Sequence, residues 1–138
     1  DHSSTEHVLR ALDILVQATL NHGDTEASIV VLSDWIDTAQ NTNRKMLKKQ
    51  HQYRWLRATL FRDKQNNCAL AHNDYVLLAE AAEEPTRSRS RAWIGLCLAA
   101  PNEKLDALKW LTSAKPRHLG SELLQKVDVR IRQLNATP

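Results

Sequence analysis

Two cysteines and one histidine are the residues whose chemistry could hold a metal. Cys68 and His72 are four residues apart, a spacing that places both side chains on one face of a helix, and Cys97 is the chain's other cysteine. A structural zinc ion normally takes four ligands, and no second close pair accompanies Cys68 and His72. We therefore expect no metal, and we interpret Cys68 and Cys97 as reduced cysteines within apolar helical patterns.

No other set of residues predicts catalysis. The chain has only 3 glycines, which leaves little material for a nucleophile elbow or a phosphate-binding loop, and it lacks the zinc-protease helix motif. Asp34 and Asp37 are interpreted as solvated charges on a helix. The histidines are scattered, and we expect them to be solvated: His2, His7, His22, His51, His72 and His118. The sequence thus predicts a protein that is not an enzyme and uses no cofactor.

Basic residues form two stretches that could contact nucleic acid. The first comprises Arg44, Lys45, Lys48, Lys49, Arg54 and Arg57, and the second comprises Arg87, Arg89 and Arg91. Tyr53 and Trp55 could add base stacking to the first stretch. However, the formal net charge is only +3, and neighbouring glutamates at 80, 83 and 84 can pair with the second stretch. We expect these cations to be solvated or to face a protein partner, with nucleic-acid binding as a lesser alternative.

The composition is typical of an all-α protein. It contains 3 Gly and 4 Pro, whereas Leu, Ala, Gln, Lys and Arg, all good helix formers, are abundant. Because 138 residues can enclose one core, residues 1–138 are predicted to form a single helical-repeat domain. No apolar run approaches the roughly 18 residues that cross a bilayer, and the polar segment 1–6 is not typical of a signal peptide. A cytoplasmic location without a membrane span is expected.

Turn and capping residues divide the chain into seven predicted helices. The breaks lie at residues 21–24, 41–43, 63–67, 83–85, 101–102 and 115–116. Gly23 suits the left-handed end of the first helix, and Asp24 or Thr25 can cap the second. The apolar stripe predicted for the first helix consists of Val8, Leu12, Leu15 and Thr19.

Two consecutive helical hairpins share one pattern. Trp55 and Thr59 on one helix are followed by Ala71, Tyr75 and Leu78 on the next; Trp93 and Cys97 are followed by Ala107, Leu111 and Ala114. The tryptophans are 38 residues apart (93 − 55) and the first alanines 36 (107 − 71). Such a period is typical of tetratricopeptide-like repeats. The predicted fold is therefore an α-solenoid of stacked antiparallel hairpins, with about three repeats and a C-terminal capping helix.

The leading helices of such repeats line a concave groove, which gives the predicted partner-binding residues. These are Tyr53, Leu56 and Leu60 in one hairpin and Arg91, Ile94 and Leu98 in the next. If exposed, the apolar members form a trough for an amphipathic helix of a partner. The alternative is that they are core, covered by the N-terminal hairpin. Leu60→Asp distinguishes the two, because it abolishes binding in the first case and unfolds the protein in the second.

Three short stretches resemble a known family. Asn21-His22 with Glu26-Ala27 and Trp35-Ile36, the segment 93–97, and the closing helix 122–134 are similar to small tetratricopeptide-like chaperones of bacterial type III secretion systems. The resemblance implies that the groove holds the C-terminal amphipathic helix of the needle subunit and that a small co-chaperone binds alongside. This chain departs from the family in its extra length around residues 41–52 and 85–91, and in its strongly basic third helix.

The sequence therefore predicts a protein-binding adaptor or chaperone, in its most specific form a type III secretion needle-subunit chaperone. The alternative is a helical-repeat sensor or regulatory segment of a larger protein, such as a transcription regulator.

Overall fold

Seven α-helices make up most of the computed structural model, which describes the backbone of residues 2–39 and 44–136 and the side chains of residues 4–39 and 46–136. The helices are α1 (His2–Asn21), α2 (Thr25–Thr38), α3 (Arg44–Asp63), α4 (Cys68–Ala81), α5 (Thr86–Cys97), α6 (Lys104–Ser113) and α7 (Ser121–Ala136). Over these residues there is no strand, which confirms the all-α prediction. No helix among them is long and apolar enough to cross a membrane. The predicted break at 41–43 and the side chains of Arg44 and Lys45 lie outside the described residues.

The turn between α1 and α2 follows the chemistry predicted for it. Gly23 has a φ of +69°, and the amides of Gly23 and Asp24 donate to the carbonyls of Leu20 and Thr19, both at 3.0 Å. This Schellman arrangement satisfies carbonyls at the end of α1. The Asp24 carboxylate then accepts a hydrogen bond from the Ala27 amide at 3.1 Å and caps α2. The two helices consequently fold back on each other as a hairpin.

The chain divides into two compact units, Asp1–Ala71 and His72–Pro138. In the first unit α1 packs on α2 and α2 packs on α3; in the second, α5 packs on α6 and α7 contacts both. Helices therefore pack in adjacent pairs, as the hairpin pattern predicts. The assignment of residues 1–138 to a single domain stays a prediction.

Trp35 is the centre of the first unit's core. It is fully buried on α2, between Leu9 and Val16 of α1 and Tyr53 of α3. The rings of Trp35 and Tyr53 meet edge to face, with centroids 4.8 Å apart and planes at 81°. This geometry aligns the positive edge of one ring with the negative face of the other. The aromatic pair thereby fixes α2 against α3.

Small residues let α5 and α6 approach closely in the second unit. Ser88, Ala92 and Gly95, at spacings of four and three, are buried on one face of α5. Opposite them are Ala107 and Leu111 of α6. A Cβ atom added to Gly95 would lie 2.6 Å from Leu111 Cγ and 3.1 Å from the Ala107 carbonyl oxygen. Gly95 is therefore required by this close approach rather than by its backbone angles.

The cysteines differ from the sequence-based interpretation. Cys68 and Cys97 are both disulfide-bonded, and the chain has no free thiol. The interpretation as two reduced cysteines was wrong, because helical periodicity reports burial of a cysteine and not its oxidation state. Among the described residues there is also no group of three side chains suited to hold a metal ion.

Gly95→Ala is expected to destabilise the protein although alanine is the better helix former. Overpacking of a tight core costs about 1–3 kcal/mol, more than the roughly 1 kcal/mol that alanine gains in helix propensity. Urea unfolding of the wild type and the variant measures the difference. In a Leu111→Ala background the same substitution should be neutral or stabilising, since the closest clash has been removed; an equal loss in both backgrounds would contradict this account.

Candidate partner-binding surfaces

The structure places the first three predicted groove residues in or against the core of the first unit. Tyr53 and Leu60 are buried there, and Leu56 is half-buried against the same cluster. Of the two alternatives that the sequence left open, exposed trough or core, Tyr53 and Leu60 thus follow the second. The physical reason is that α3 is apolar on more than one face, and α2 covers the face that carries Tyr53.

The other three belong to the second unit and also serve its packing. Ile94 is fully buried, and Leu98 is half-buried against the core. Arg91 donates from Nε to the Ala79 carbonyl at 3.2 Å and from Nη1 to the Ser113 carbonyl at 3.4 Å, so its guanidinium satisfies carbonyls at two helix ends. Ile94 thus also follows the alternative in which these residues are core. A partner-binding role for the six residues stays a prediction.

Helix α1 exposes the apolar surface that the groove prediction placed elsewhere. Val8, Ile14 and Leu15 are 47%, 70% and 48% exposed, and Ala11 and Ala18 are exposed beside them. Val8, Ala11, Leu15 and Ala18 recur at spacings of three and four, which is one helix face. We call these five residues the α1 apolar face. It is an unpartnered stripe on a helix whose other side is already packed.

The buried side of α1 differs from the predicted stripe. Leu9 and Val16 are buried, and Leu12 and Leu20 pack against the same core, whereas the predicted stripe residues Val8 and Leu15 are exposed. Each of the buried residues Leu9 and Val16 directly follows a predicted stripe residue, so the buried face is rotated about the helix axis by roughly the angle between two consecutive residues. The positions of the polar residues could have indicated this. Glu6, Arg10, Asp13 and Gln17 lie on one narrow side of the helix, so most of the helix circumference is apolar.

A polar cluster fixes the rotation of α1. The Tyr53 hydroxyl donates to Asp13 Oδ1 at 2.6 Å, and Lys49 Nζ lies 2.7 Å from Asp13 Oδ2. The Lys49 ammonium also lies 5.6 Å from the centroid of the Tyr53 ring and 6.0 Å from that of Trp35. Both carboxylate oxygens are thus engaged by α3, which holds the Asp13 side of α1 toward the core. Burial, together with the hydrogen bond to Asp13 and its negative charge, raises the pKa of Tyr53 above its usual range.

A second cluster, in the other unit, combines a serine, a histidine and a glutamate without forming a catalytic triad. The fully buried Ser88 donates from Oγ to Glu84 Oε2 at 2.7 Å, and the Ser88 amide donates to Glu84 Oε1 at 2.8 Å. His118 Nε2 lies 3.9 Å from Glu84 Oε2, so the glutamate stands between the other two residues as the shared acceptor. The arrangement caps α5. Burial alone would raise the pKa of Glu84, but the Ser88 hydrogen bonds and the charges of His118 and Lys115 outweigh it and lower the pKa.

An open groove of about 460 Å³ runs between α5 and α7. We call it the α7 groove; it is lined by Leu96, Glu122, Gln125, Lys126, Val129, Arg130 and Gln133. Its apolar lining consists of Leu96 and the 40% exposed Val129. Lys126 and Arg130, four residues apart, present two positive charges on one side of α7. The groove can therefore accept an apolar side chain flanked by negative charges.

Tyr53 should make the protein less stable above pH 10. Below that pH the phenol is protonated in both states; as the pH rises past 10, the unfolded chain releases the proton while the folded chain retains it, which favours unfolding. Above pH 10 the free energy of unfolding of the wild type should fall by up to about 1.4 kcal/mol more per pH unit than that of Tyr53→Phe. Urea unfolding between about pH 8 and 11 measures both slopes. Equal slopes for the two proteins would contradict the raised pKa.

No protein-family model, no curated protein and no solved structure matches this chain. The tetratricopeptide-like assignment and the resemblance to secretion chaperones therefore stay predictions.

Proposed function

We propose that this chain is a protein-binding adaptor or chaperone that holds an amphipathic helix of a partner protein. The observation that carries the proposal is the α1 apolar face, on which Ile14 is 70% exposed. Single exposed apolar residues are common on protein surfaces, but three large ones on one face of one helix, each 47–70% exposed, are typical of an interaction site. The proposal places the partner helix on this surface rather than in the predicted trough, where Tyr53, Leu60 and Ile94 are buried.

The shape of the α1 apolar face suits a helical partner. Val8 and Leu15 are seven residues apart, two helical turns, and the alanines at 11 and 18 leave shallow gaps beside them. Large side chains of a partner helix, spaced at three and four residues, can enter such gaps as ridges enter grooves. Recognition then depends on apolar burial, at about 25 cal/mol per Å² of apolar area, rather than on charge.

The most specific form of the proposal is a needle-subunit chaperone of type III secretion, working in a bacterial cytoplasm with a small co-chaperone. Its support is the resemblance in the segments around Trp35 and Trp93 and in α7. On α7, Leu123, Val127 and Leu134 are buried as the inner face of an amphipathic closing helix. The alternative remains a sensor or regulatory segment of a larger protein, in which the α1 apolar face would contact another part of that protein.

The disulfide-bonded state of Cys68 and Cys97 counts against the cytoplasmic part of this proposal, and their oxidation state in native cells tests it. Disulfides persist in oxidising compartments and are rare in the cytosol. Protein isolated from its native cells under acid quench should be alkylated after denaturation without reductant and weighed. Because Cys68 and Cys97 are disulfide-bonded in the structure, no mass increase is expected. Alkylation of both would instead support a reducing cytoplasmic location.

Ile14→Asp tests the binding surface. It introduces a charge on the α1 apolar face at an exposed position, so the free energy of unfolding should change by less than about 1 kcal/mol. The tagged wild type should recover a partner from native cells that the variant does not. A synthetic peptide of the partner's amphipathic helix should then bind the variant at least about tenfold more weakly, a loss of about 1.4 kcal/mol.

Two variants control this experiment. Gln17→Asp adds the same charge to the polar side of α1 and should retain the partner. Leu60→Asp places the charge in the core and should unfold the protein, in contrast to its predicted role as a groove substitution. Equal binding by wild type and Ile14→Asp would exclude the α1 apolar face as the site. A partner that binds without an amphipathic helix would exclude the proposed helix-binding contact.

A further inference from the structure

The α7 groove has a complementary surface on the same chain. Along α2, Glu26, Val30, Asp34 and Asp37 are exposed, and their spacings of four, four and three place them on one helix face. We call these four residues the α2 acidic face. Val30 is 59% exposed and lies between the carboxylates, so the α2 acidic face is an apolar centre flanked by negative charge.

We propose that the α7 groove of one copy binds the α2 acidic face of a second copy. The groove presents Val129 and Leu96 as its apolar part, with Lys126 and Arg130 beside them. Val30 would enter the apolar part of the groove, and the carboxylates of Asp34 and Asp37 would meet the two cations. Opposite charges arranged around an apolar centre fix the orientation of such a contact as well as its strength.

The charges on both surfaces are available for this contact. Within the part of the chain that the structure describes, neither Lys126 nor Arg130 forms an ion pair; Arg130 only reaches Gln133 Oε1 at 3.5 Å. Glu26, Asp34 and Asp37 likewise form no ion pair among the described residues. Glu122 is the one acid of the groove lining and stands in the first turn of α7.

The contact joins two different surfaces, because α2 and α7 are separate elements. Each copy carries one α7 groove and one α2 acidic face, so every copy can both donate and accept. Association should therefore depend on protein concentration, and it should weaken as salt screens the charges, the screening length falling from about 10 Å at 0.1 M to about 3 Å at 1 M.

Sedimentation of the full chain tests the proposal directly. Between about 5 and 500 µM at low salt, where screening is weak, the mass should rise above that of the 15.7 kDa monomer. Lys126→Glu/Arg130→Glu and, separately, Asp34→Lys/Asp37→Lys should each remain monomeric. Lys109→Glu/Arg132→Glu is the control, because it changes the net charge as much as Lys126→Glu/Arg130→Glu does. Its two positions are exposed and lie outside the groove, so this variant should associate like wild type.

Mixing the two charge-reversed variants is the decisive measurement. The lysines placed on α2 of one variant match the glutamates placed on α7 of the other, and the unaltered surfaces still match each other, so an equimolar mixture should regain wild-type association. Circular dichroism checks that each variant is folded.

A wild type that stays monomeric at the highest concentration would overturn the proposal. So would a folded mixture that fails to associate, or a control variant as defective as the groove variant. Ile14→Asp should associate normally; loss of association in that variant alone would assign self-association to the α1 apolar face instead. This inference does not depend on the proposed partner helix, since the two use different surfaces.

Discussion

The carboxylate of Asp13 is the contact on which the exposed surface of the first unit depends. It accepts a hydrogen bond from Tyr53 at one oxygen and pairs with Lys49 at the other, and both partners are on α3. A helix that is apolar around most of its circumference could bury several faces with similar gain, because apolar burial is not directional. A hydrogen bond and an ion pair are directional. They select one rotation of α1, which buries Leu9 and Val16 and leaves Val8, Ile14 and Leu15 outside.

In the second unit, polar side chains form hydrogen bonds with backbone amides and carbonyls at the ends of helices. Glu84 receives the amide and hydroxyl of Ser88 at the start of α5, while the Lys115 amide donates to Ser88 Oγ at 3.1 Å. Arg91 completes the set with carbonyls of Ala79 and Ser113. Arg91, a member of the second basic stretch, thus donates internal hydrogen bonds in place of contacting nucleic acid. Small residues on α5 then allow the close packing on α6 that these contacts fix in register.

The chain therefore offers two kinds of surface, one apolar and one charged. The α1 apolar face gains free energy by burying hydrocarbon and has little means of choosing between partners of similar shape. The α7 groove and the α2 acidic face carry charge, which contributes orientation and selectivity more than affinity. Under the two proposals, one contact is made through an apolar face and the other through charge, so salt weakens only the second.

The amino-acid sequence determined the elements of this protein: its helical class, the turn at Gly23 with the Asp24 cap, and the α1–α2 and α5–α6 hairpins, because these follow from local propensities and short-range hydrogen bonds. It also left open, correctly, that Tyr53 and Leu60 could be core. Only the tertiary structure decided which apolar face of α1 is buried, which placed Ile14 at the surface and Tyr53 inside. Helical periodicity identifies apolar faces but does not rank them when a helix has several. That choice was made by Asp13 meeting Tyr53 and Lys49, residues 40 and 36 positions further along the chain, a long-range contact that no local pattern contains.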